Sequence, residues 1–320
     1  MLKDEILKTL YQNHVILSGE ALAARLGVSR NAVWKSVKQL QSEGFSIAAS
    51  TNKGYFLESC GRTLSPVIIE QELQTSAFGK PLLFFDQLPS TNTKAKELAE
   101  AGYPSGTVVV AGSQSAGKGR LGRKFYSPAG QGVYFSLLVR PELFGDHTML
   151  LTSMCAAAAA QAIETLARVQ MQIKWVNDLL IGGRKVCGIL TEAGLNLEDQ
   201  SIDYVVIGVG VNCGKQHFPS ELKTIATSIE NECGTVINRS LLAAEVLKQI
   251  EAGFQTLAQK PFLNACRERS AVIGKQVTVC RGEQRMPATA LGIDNNGALL
   301  VRYADGREEA LRSGEVSVRL

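Results

Sequence analysis

The segment from Gly112 to Arg123, with Lys124 directly after it, holds the densest group of residues that could bind an anion. Its glycines let backbone N–H groups approach a ligand closely. Its cations are Lys118, Arg120, Arg123 and Lys124. Because these charges repel one another on so short a loop, a bound anion would stabilise it, and a phosphate-bearing ligand is the natural candidate. The alternative is a flexible, solvated basic loop.

Two known phosphate-binding motifs fit this segment only in part. The spacing G-x-x-x-x-G-K that ends at Lys118 is that of a P-loop, but Gly119 stands where a P-loop carries the Ser or Thr that binds magnesium. Residues 117–122, GKGRLG, match the dinucleotide pattern G-x-G-x-x-G, which needs a helix at its last glycine. Pro128 argues against an early helix there. The loop therefore predicts phosphate contact without either fold.

Three other clusters combine polar residues with strands or with a helix start. KWVND, residues 174–178, ends an apolar strand, so Lys174 could aim its charge at a ligand oxygen; the alternative is a surface lysine before a turn. GVGVN, residues 208–212, alternates glycine along a strand and would let a flat ligand lie against the backbone. STN, residues 90–92, precedes a helical pattern and by itself predicts only a helix N-cap.

The elements that position these clusters belong to a chain with several domains. Residues 67–269 alternate helices with short strands, and the turns at 177–178 and 182–183 are so tight that the strands they join must be antiparallel. This predicts an α/β domain on a mixed, largely antiparallel sheet rather than a doubly wound one. Residues 270–320 change to short strands separated by NNG and DG turns, which predicts a small SH3-like β barrel.

Residues 1–60 predict a winged helix-turn-helix domain, and residues 61–66 a linker to the next domain. Three helical patterns are followed by two strands that the turn at 51–54 would join as a hairpin. Ser29 can cap the third helix, which Gly44 closes. In such folds the second helix of the motif enters the major groove, and the wing touches phosphate or the minor groove.

The cations of this domain gather on its third helix and wing, where the phosphates of DNA would lie. Glu43 is the lone acidic residue between Arg30 and Gly54. We therefore predict DNA binding; the alternative is a small helical protein-interaction domain with a solvated charged face. The candidate DNA-binding residues are Ser29, Arg30, Asn31, Trp34, Lys35, Lys38 and Lys53.

The bulk properties predict a multidomain protein of the cytoplasm. A chain of 320 residues is long enough for two or three domains, and a net charge of +4 permits an anionic partner without requiring one. The 7 cysteines include no C-x-x-C pair, so neither a zinc site nor a disulfide framework is expected. The N-terminus is charged, unlike a signal peptide, and the most apolar stretch, Met149–Ile163, is shorter than the roughly 20 residues of a membrane span.

Taken together, these segments resemble the biotin protein ligase family, in the bifunctional bacterial form that doubles as biotin operon repressor. The order and spacing of the motifs carry the resemblance over essentially the whole chain. The motifs are SGEALAARLGVSRNAVWKSVKQL at 18–40, STN at 90–92, QSAGKGRLGRKFYSP at 114–128, KWVND at 174–178, RKVCGILTE at 184–192 and GVGVN at 208–212.

The resemblance implies a multidomain α+β fold, a ligase activity and a regulatory role. The central mixed α/β domain would be related to class II synthetases and lipoate ligases. With ATP, biotin and Mg²⁺, the enzyme would form biotinyl-5′-AMP and transfer biotin to a lysine of the biotin carboxyl carrier domain of a biotin-dependent carboxylase. In the adenylate-bound state it would be a homodimer on operator DNA, repressing biotin synthesis genes, with no membrane partner.

The same resemblance assigns residues to roles. Catalysis is assigned to Lys174 and Arg120. The biotin site is assigned to Ser90, Thr91, Asn92, Gln114, Gly117, Lys118, Gly119, Arg120, Lys174, Gly188, Leu190 and Gly208. The nucleotide site is assigned to Lys118, Arg120, Arg123, Asn177 and Asn212, and no residue is assigned as a metal ligand. The segments 114–124 and 213–224 are predicted to become ordered when ligand binds.

The sequence departs from the family at two motif positions. The family often has Arg where this chain has Lys118, and Pro where it has Val176. Lysine keeps the charge but lacks the planar fork of a guanidinium, which puts a bidentate carboxylate contact at residue 118 in question. Val176 should leave the strand end in place, with a looser turn.

Two other functions use similar features. A lipoate–protein ligase shares the catalytic fold and the adenylation chemistry, but its longer apolar slot has little need for polar groups such as Ser90, Thr91 and Gln114. A ligand-sensing repressor that has lost catalysis would not need Lys174 and Arg120. The presence of both sets of residues favours a biotin-activating enzyme.

Overall fold

The computed structural model describes residues 1–50, 53–73, 77–196, 198–281, 283–312 and 315–318. The N-terminal unit consists of α1 (Leu2–Asn13), α2 (Gly19–Leu26), α3 (Arg30–Ser42), β1 (Ser46–Ser50) and β2 (Gly54–Ser59). The two strands pair antiparallel as a hairpin, and residues 51 and 52 of the predicted turn lie outside the described residues. Three helices followed by a hairpin confirm the predicted helix-turn-helix with its wing.

Serine caps and a buried stripe set the orientation of α2 and α3. Ser18 Oγ accepts a hydrogen bond from Ala21 N (3.0 Å), and Ser29 Oγ accepts one from Ala32 N (3.2 Å), so each helix begins where the sequence predicts. The buried side of α3 consists of Val33, Ser36, Val37 and Leu40. The other side of α3 is therefore left facing away from this core.

The central domain is built on a seven-stranded sheet in the order β3-β4-β5-β9-β8-β7-β6. The strands are β3 (Leu82–Phe85), β4 (Val108–Ala111), β5 (Gly132–Val139), β6 (Gln172–Lys174), β7 (Asp178–Ile181), β8 (Arg184–Leu195) and β9 (Ile202–Asn212). The β3–β4 pair is parallel and the other neighbouring pairs are antiparallel. The prediction of a mixed, largely antiparallel sheet is confirmed.

Helices cover both faces of this sheet. The helices of the domain are α4 (Pro66–Glu72), α5 (Thr91–Glu100), α6 (Pro141–Phe144), α7 (Leu151–Ala167), α8 (Ile229–Cys233), α9 (Arg239–Gln255) and α10 (Phe262–Glu268). In β4, Val109 packs in a cluster with residues of α5, whereas Val108 and Val110 belong to the main core with α7 and α9. Alternate residues of one strand thus face different helix layers.

The segment Pro141–Ala167 has the length and the apolar composition to cross a membrane. In the structure, however, 61% of its most apolar window is buried. Within it, Ala156, Ala159 and Ala160 are fully buried in the main core. Their small side chains allow α7 to pack closely on its neighbours, so the composition is that of a central core helix.

The C-terminal unit is a five-stranded antiparallel sheet in the order β13-β12-β11-β10-β14. Its strands are β10 (Gln276–Arg281), β11 (Gln284–Ile293), β12 (Leu299–Tyr303), β13 (Glu308–Leu311) and β14 (Glu315–Val318). In the part of the chain that the structure describes, β13 and β14 remain the two edges, so the sheet is not closed into the predicted barrel. The unit holds the KWVND motif, because Trp175 Nε1 donates a hydrogen bond to Gly297 O (3.0 Å).

Helix α4 joins the N-terminal unit to the central domain. Ile68 is buried in the core of the N-terminal unit, and its neighbour Ile69 is buried in the main core. The Tyr11 hydroxyl of α1 donates a hydrogen bond to Glu72 at the end of α4. Because one helix contributes to two cores, the N-terminal unit is packed on the central domain and does not hang from an exposed tether.

Candidate active site and DNA-binding face

A cavity of about 780 Å³ lies at one end of the central sheet. Lys174 at the end of β6 and Arg120 in the loop between β4 and β5 both border it. Further lining comes from residues 123–126, from Gly182, Gly183 and Lys185, and from the loop after β9. The two cations that the sequence assigns to catalysis therefore border one cavity, which is of the size that small-molecule sites usually have.

A polar network lies at the start of α5, beside a smaller pocket of about 40 Å³. Gln114 Oε1 accepts hydrogen bonds from Thr91 N (2.8 Å) and from Thr91 Oγ1 (3.2 Å). The buried Ser136 hydroxyl lies 2.8 Å from Thr91 Oγ1 and 2.6 Å from Asn92 Oδ1. Ser90 occupies the predicted N-cap position but makes no side-chain capping bond. The network fixes the orientation of hydroxyl and amide groups around the pocket.

Asn92 is anchored on its other side by an acidic residue of β8. Its Nδ2 donates a hydrogen bond to Glu192 Oε2 (2.7 Å), and Glu192 also forms an ion pair with Lys96. Burial opposes ionisation of this carboxyl, but the hydrogen bonds from Lys96 and Asn92 outweigh it and hold the pKa of Glu192 below its usual value. The amide of Asn92 is thus engaged within the protein and serves as a support for the pocket.

Glycines of β8 and β9 form the floor of the small pocket. Gly208 faces Asn92, while Gly188 and Gly210, which pair across the two strands, face the ring of Phe125. A Cβ at Gly210 would lie 2.5 Å from that ring. The glycine-alternating strand therefore provides flat backbone, as the sequence predicts, and Phe125 lies on part of it.

Two paired side chains connect the small pocket with the large cavity. Arg120 Nη1 donates a hydrogen bond to Asn177 Oδ1 (3.1 Å), and Asn177 Nδ2 donates one to Ile189 O (3.2 Å). Lys185 Nζ forms an ion pair with Asp178 (2.6 Å) and lies 5.7 Å from the centre of the Phe125 ring. Arg120, Asn177, Lys185 and Phe125 border both spaces, so a ligand could reach from one into the other.

Two polar groups at the large cavity have bonding capacity left over. Among the interactions of the described residues, the Lys174 ammonium has neither an ion pair nor a side-chain hydrogen bond. Asn212 is buried; its Nδ2 donates a hydrogen bond to Thr227 O (3.0 Å), and its Oδ1 has no hydrogen-bond partner among the residues that the structure describes. A buried oxygen of this kind is costly unless a ligand donor reaches it. The arrangement offers a point charge for an anion and an acceptor for an N–H group.

The outer side of α3 is exposed and basic. Arg30, Asn31, Trp34, Lys35 and Lys38 are all exposed, at spacings that place them along one side of the helix. Trp34 is 50% exposed, which is unusual for so large an aromatic side chain. Ser29 caps the helix, and Lys53 is exposed at the start of the second strand of the wing. The predicted DNA-binding residues of α3 thus share one exposed side of that helix.

Comparison with known proteins identifies the family. The family model of the HTH domain matches residues 3–56, that of the biotin/lipoate A/B protein ligase family matches residues 84–212, and that of the biotin protein ligase C-terminal domain matches residues 272–319. The bifunctional ligase/repressor BirA of Bacillus subtilis is 38% identical to this chain, over 91% of this chain and 90% of its own length. The chain belongs to the BirA family of bifunctional biotin ligases and repressors.

Two further relatives of this BirA-family chain agree. BirA of Escherichia coli is 28% identical over 98% of this chain and 96% of its own length. The structure of the biotin protein ligase from Aquifex aeolicus in complex with biotin and ATP superposes with a TM-score of 0.65, at 28% identity, over 75% of this chain and 99% of that one. The match to E. coli BirA spans all three units.

Most of the predicted biotin and nucleotide residues of this BirA-family chain border the two cavities. The small pocket is bordered by Ser90, Thr91, Asn92, Gln114, Lys118, Gly119, Arg120, Asn177, Gly188, Leu190 and Gly208. The large cavity is bordered by Gly119, Arg120, Arg123, Lys174, Asn177 and Asn212. Gly117 instead packs inside its own loop, where a Cβ would lie 2.5 Å from Phe125 O.

Sequence reasoning missed four residues of this BirA-family site: Phe125, Ser136, Lys185 and Glu192. Phe125, Lys185 and Glu192 lie inside the quoted motifs. Their roles follow from contacts between segments, since Phe125 and Lys185 approach Gly188 and Glu192 bonds Asn92. Ser136 sits in the apolar strand VYFSLLVR, where one polar residue in a buried run was the available signal. At the departure Val176, the Trp175–Val176 peptide bond is cis.

Proposed function

We propose that this chain activates biotin with ATP and then biotinylates a carrier domain, using the two joined cavities as one active site. In the first step a carboxylate oxygen of biotin attacks the α-phosphorus of ATP, and pyrophosphate leaves. In the second, the amine of an acceptor lysine attacks the acyl carbon of biotinyl-5′-AMP, and AMP leaves. The acceptor belongs to the biotin carboxyl carrier domain of a biotin-dependent carboxylase. The observation that carries this proposal is that Lys174 and Arg120 border one cavity.

We place the head of biotin in the small pocket. The ureido group has fixed donors and acceptors, and the hydroxyls of Ser90 and Thr91 with the amide of Gln114 can match them. The lipoate alternative needs no such polar set. Because about 40 Å³ holds little more than one water molecule, the loop that carries Phe125 has to shift before the head group enters. We propose that this shift accompanies the ordering of residues 114–124.

Replacing Gly208 with alanine tests this placement. The new Cβ would collide with Asn92 Oδ1, and Asn92 cannot yield easily, because Ser136 and Glu192 hold it. We expect urea denaturation to show a free energy of unfolding lower by about 1–3 kcal/mol. Calorimetry should show roughly 10- to 100-fold weaker biotin binding. Gly292→Ala is the control, since a Cβ at this strand glycine meets nothing within 4 Å. Equal effects of both variants would contradict the placement.

We assign the charges of the large cavity to the reacting groups. Bringing a carboxylate against a phosphate joins two anions, so alignment and neutralisation are the main catalytic tasks. Lys174, whose ammonium is not engaged by another described side chain, is placed at the reacting oxygens. Arg120, held by Asn177, clamps the phosphate, and Lys118 and Lys185 add positive charge along the path. No nucleophilic side chain is required.

On the nucleotide side, we assign the adenine to the part of the cavity that Asn212 borders. The unpartnered Oδ1 of Asn212 can accept a hydrogen bond from the exocyclic amine of the base. Arg123 borders the same cavity and adds charge for the phosphates. A nucleotide with a carbonyl in place of that amine would present an acceptor to an acceptor, so ATP is preferred over GTP.

The donor set fits Mg²⁺ that arrives with ATP. The described residues hold no cluster of three metal-ligating side chains, and magnesium bound through phosphates and water needs one or two protein oxygens at most. Asp178 supplies such an oxygen at the cavity wall. When bound, the ion would neutralise the charge of the departing pyrophosphate.

The direct test is incubation with ATP, Mg²⁺, biotin and a purified biotin carrier domain. We expect pyrophosphate release that depends on biotin, and an acceptor whose mass rises by one biotinyl group on a single lysine. Lipoate in place of biotin is the control for the rival ligase. A chain that binds biotin without releasing pyrophosphate would instead be the sensor that has lost catalysis.

For the second function, we propose that residues 1–60 bind operator DNA as part of a homodimer that forms around the adenylate, in the cytoplasm. The linker is assigned to residues 61–66, the catalytic domain to 67–269 and a C-terminal SH3-like domain to 270–320. Two-fold symmetry would set the spacing of the operator half-sites. We also propose that the central domain is related to class II synthetases and lipoate ligases.

Lys38→Ala tests the DNA-binding face. Lys38 is exposed on α3, where it would lie against phosphate and not against a base. We expect weaker binding to duplex DNA of random sequence and a slope of log K against log salt reduced by about 1. Lys223→Ala, an equal charge change outside the N-terminal unit, is the control. If the slope stays unchanged while Lys223→Ala behaves in the same way, Lys38 does not contact the DNA backbone.

A further inference from the structure

The linker after the DNA-binding unit is fastened along its length to the ligase domain. Side chains at the start of α9 form hydrogen bonds with its backbone. The bonds are Asn238 Nδ2 to Gly61 O (3.1 Å), Arg239 Nε to Arg62 O (2.7 Å), Ser240 Oγ to Thr63 O (2.9 Å) and Ser65 N to Ser240 Oγ (2.8 Å). These bonds hold the linker on the start of α9.

One carboxylate connects the linker with the loop after β9. Glu230, in α8, accepts a hydrogen bond at Oε1 from Arg62 of the linker (2.7 Å). Its Oε2 accepts a hydrogen bond from Lys215 N (2.9 Å), and its own N–H donates to Cys213 O (3.0 Å). The Glu230 side chain is only 11% exposed, so each of its oxygens depends on its partner to offset the loss of water.

The loop held by Glu230 also forms a wall of the large cavity. Phe218, Leu222 and Thr224 of this loop border the space that we assign to nucleotide. A ligand that draws these residues inward moves the start of the loop, where Lys215 N meets Glu230. Because the other oxygen of the same carboxylate bonds Arg62, the movement reaches the linker through a single side chain.

We propose that Glu230 is a positioning residue that holds the nucleotide loop and, through Arg62, ties the state of that loop to the linker of the DNA-binding unit. The proposal rests on the function proposed above, since it takes biotin and ATP as the ligands of the cavity. According to this proposal, the Glu230–Arg62 ion pair connects the loop with the linker, whereas most surface ion pairs contribute little to stability. Catalysis itself does not require Arg62.

Amide hydrogen exchange of the full chain, with and without biotin plus ATP and Mg²⁺, tests the connection. In the parent chain we expect ligand to change the exchange of both the loop 213–224 and the linker 61–65. Arg62→Ala and Glu230→Gln remove the ion pair but leave an oxygen that can accept from Lys215 N. In both, the loop should still respond to ligand while the response of the linker falls at least to about the level of the exchange noise.

A kinetic measurement separates positioning from a general loss of structure. Glu230→Ala also removes the acceptor of Lys215 N, so we expect KM for ATP to rise about tenfold, with kcat within about twofold of the parent. Arg62→Ala should leave both constants within about twofold. The matched control is Arg302→Ala, which removes an exposed ion pair to Glu308 in the C-terminal sheet and should change neither exchange nor kinetics.

The following results would each contradict a different part of the proposal. A linker that still responds to ligand in Arg62→Ala, or that never responds in the parent chain although the loop does, overturns the connection and leaves the ligase function standing. A loop that never responds, with no pyrophosphate released, removes the proposed function and this inference together. Equal losses of kcat in Glu230→Ala and Glu230→Gln would mean that Glu230 supports the fold and does not position the loop.

Discussion

Lys174→Met should lower the rate of biotin-dependent pyrophosphate release by about 10²- to 10³-fold, the usual effect of removing one preorganised donor from an active site. Methionine keeps the length and the apolar stem of the side chain, so the fold of β6 should survive. The lysine ammonium has no partner among the described side chains, and its loss therefore leaves no buried charge behind. Single-turnover quench experiments measure the chemical step directly. Binding of biotin alone should fall much less than the rate, because the charge acts where carboxylate and phosphate meet.

The control for this prediction is another lysine of the site's surroundings. Lys223 is exposed in the loop after β9, and it does not border the large cavity although both of its neighbours along the chain do. Lys223→Met makes the same change in net charge, and we expect a rate within about twofold of the parent, since exposed charges are screened within about 10 Å. Lys174→Arg should recover part of the rate. A Lys174→Met enzyme with normal turnover would mean that Lys174 is a surface residue before a turn, which was the alternative interpretation of the sequence.

The sheet was predictable because strands joined by short turns must pair as antiparallel neighbours. Turns at 175–177 and 182–183 make β6, β7 and β8 antiparallel neighbours, and this same pairing brings KWVND beside RKVCGILTE. The first turn lies at 175–177 and not at the predicted 177–178, because Asp178 already pairs with Lys174. Local capping likewise fixed α2 and α3, since Ser18 and Ser29 act within their own turns. Where the determining interaction spans a few residues, the sequence contains all of it.

The closure of the C-terminal domain and the role of α4 were not predictable in the same way. Closing a barrel depends on pairing between strands distant along the chain, and the described residues leave β13 and β14 as edges. The division of Ile68 and Ile69 between two cores depends on which surfaces meet around α4. A pattern of apolar residues predicts that a side chain is buried, but it does not predict which element the side chain packs against.

The site shows the same division between local and distant information. Glycines and cations identified the loop 114–124, because the residues that predict anion binding all lie in this one segment. The network of Ser136, Asn92 and Glu192 joins residues about 44 and 100 positions apart. Asn92 and Glu192 lie inside motifs of the sequence, but Ser136 looks ordinary in its own strand. Lys185 became recognisable only when its ion pair with Asp178 placed it beside both cavities. Single-segment motifs therefore find the cationic glycine loop and miss Ser136, which supports the small pocket from a distant strand.

Arg120→Gly should let the intermediate biotinyl-5′-AMP dissociate from the enzyme before it reacts with the acceptor lysine. Arg120 borders both cavities and is oriented by Asn177, so in the proposed complex its guanidinium holds the phosphate of biotinyl-5′-AMP. Losing a charge-assisted contact of this kind costs about 1.5–3 kcal/mol, which corresponds to an intermediate that dissociates about 10- to 100-fold faster. We expect free biotinyl-5′-AMP in solution by chromatography, and biotin on lysines of a bystander protein such as albumin.

Leu121→Gly separates the loss of charge from the gain in loop flexibility. Leu121 follows Arg120 in the same tight turn, is 76% exposed and has a positive φ of 56°, so glycine is well tolerated there and removes no cation. If flexibility alone released the adenylate, Leu121→Gly would leak as much as Arg120→Gly. If the charge retains it, Leu121→Gly should label the carrier domain selectively, and Arg120→Lys should lie between the two. An Arg120→Gly enzyme that keeps its intermediate as tightly as the parent would show that the anhydride is protected by enclosure, with the guanidinium serving only to hold Asn177.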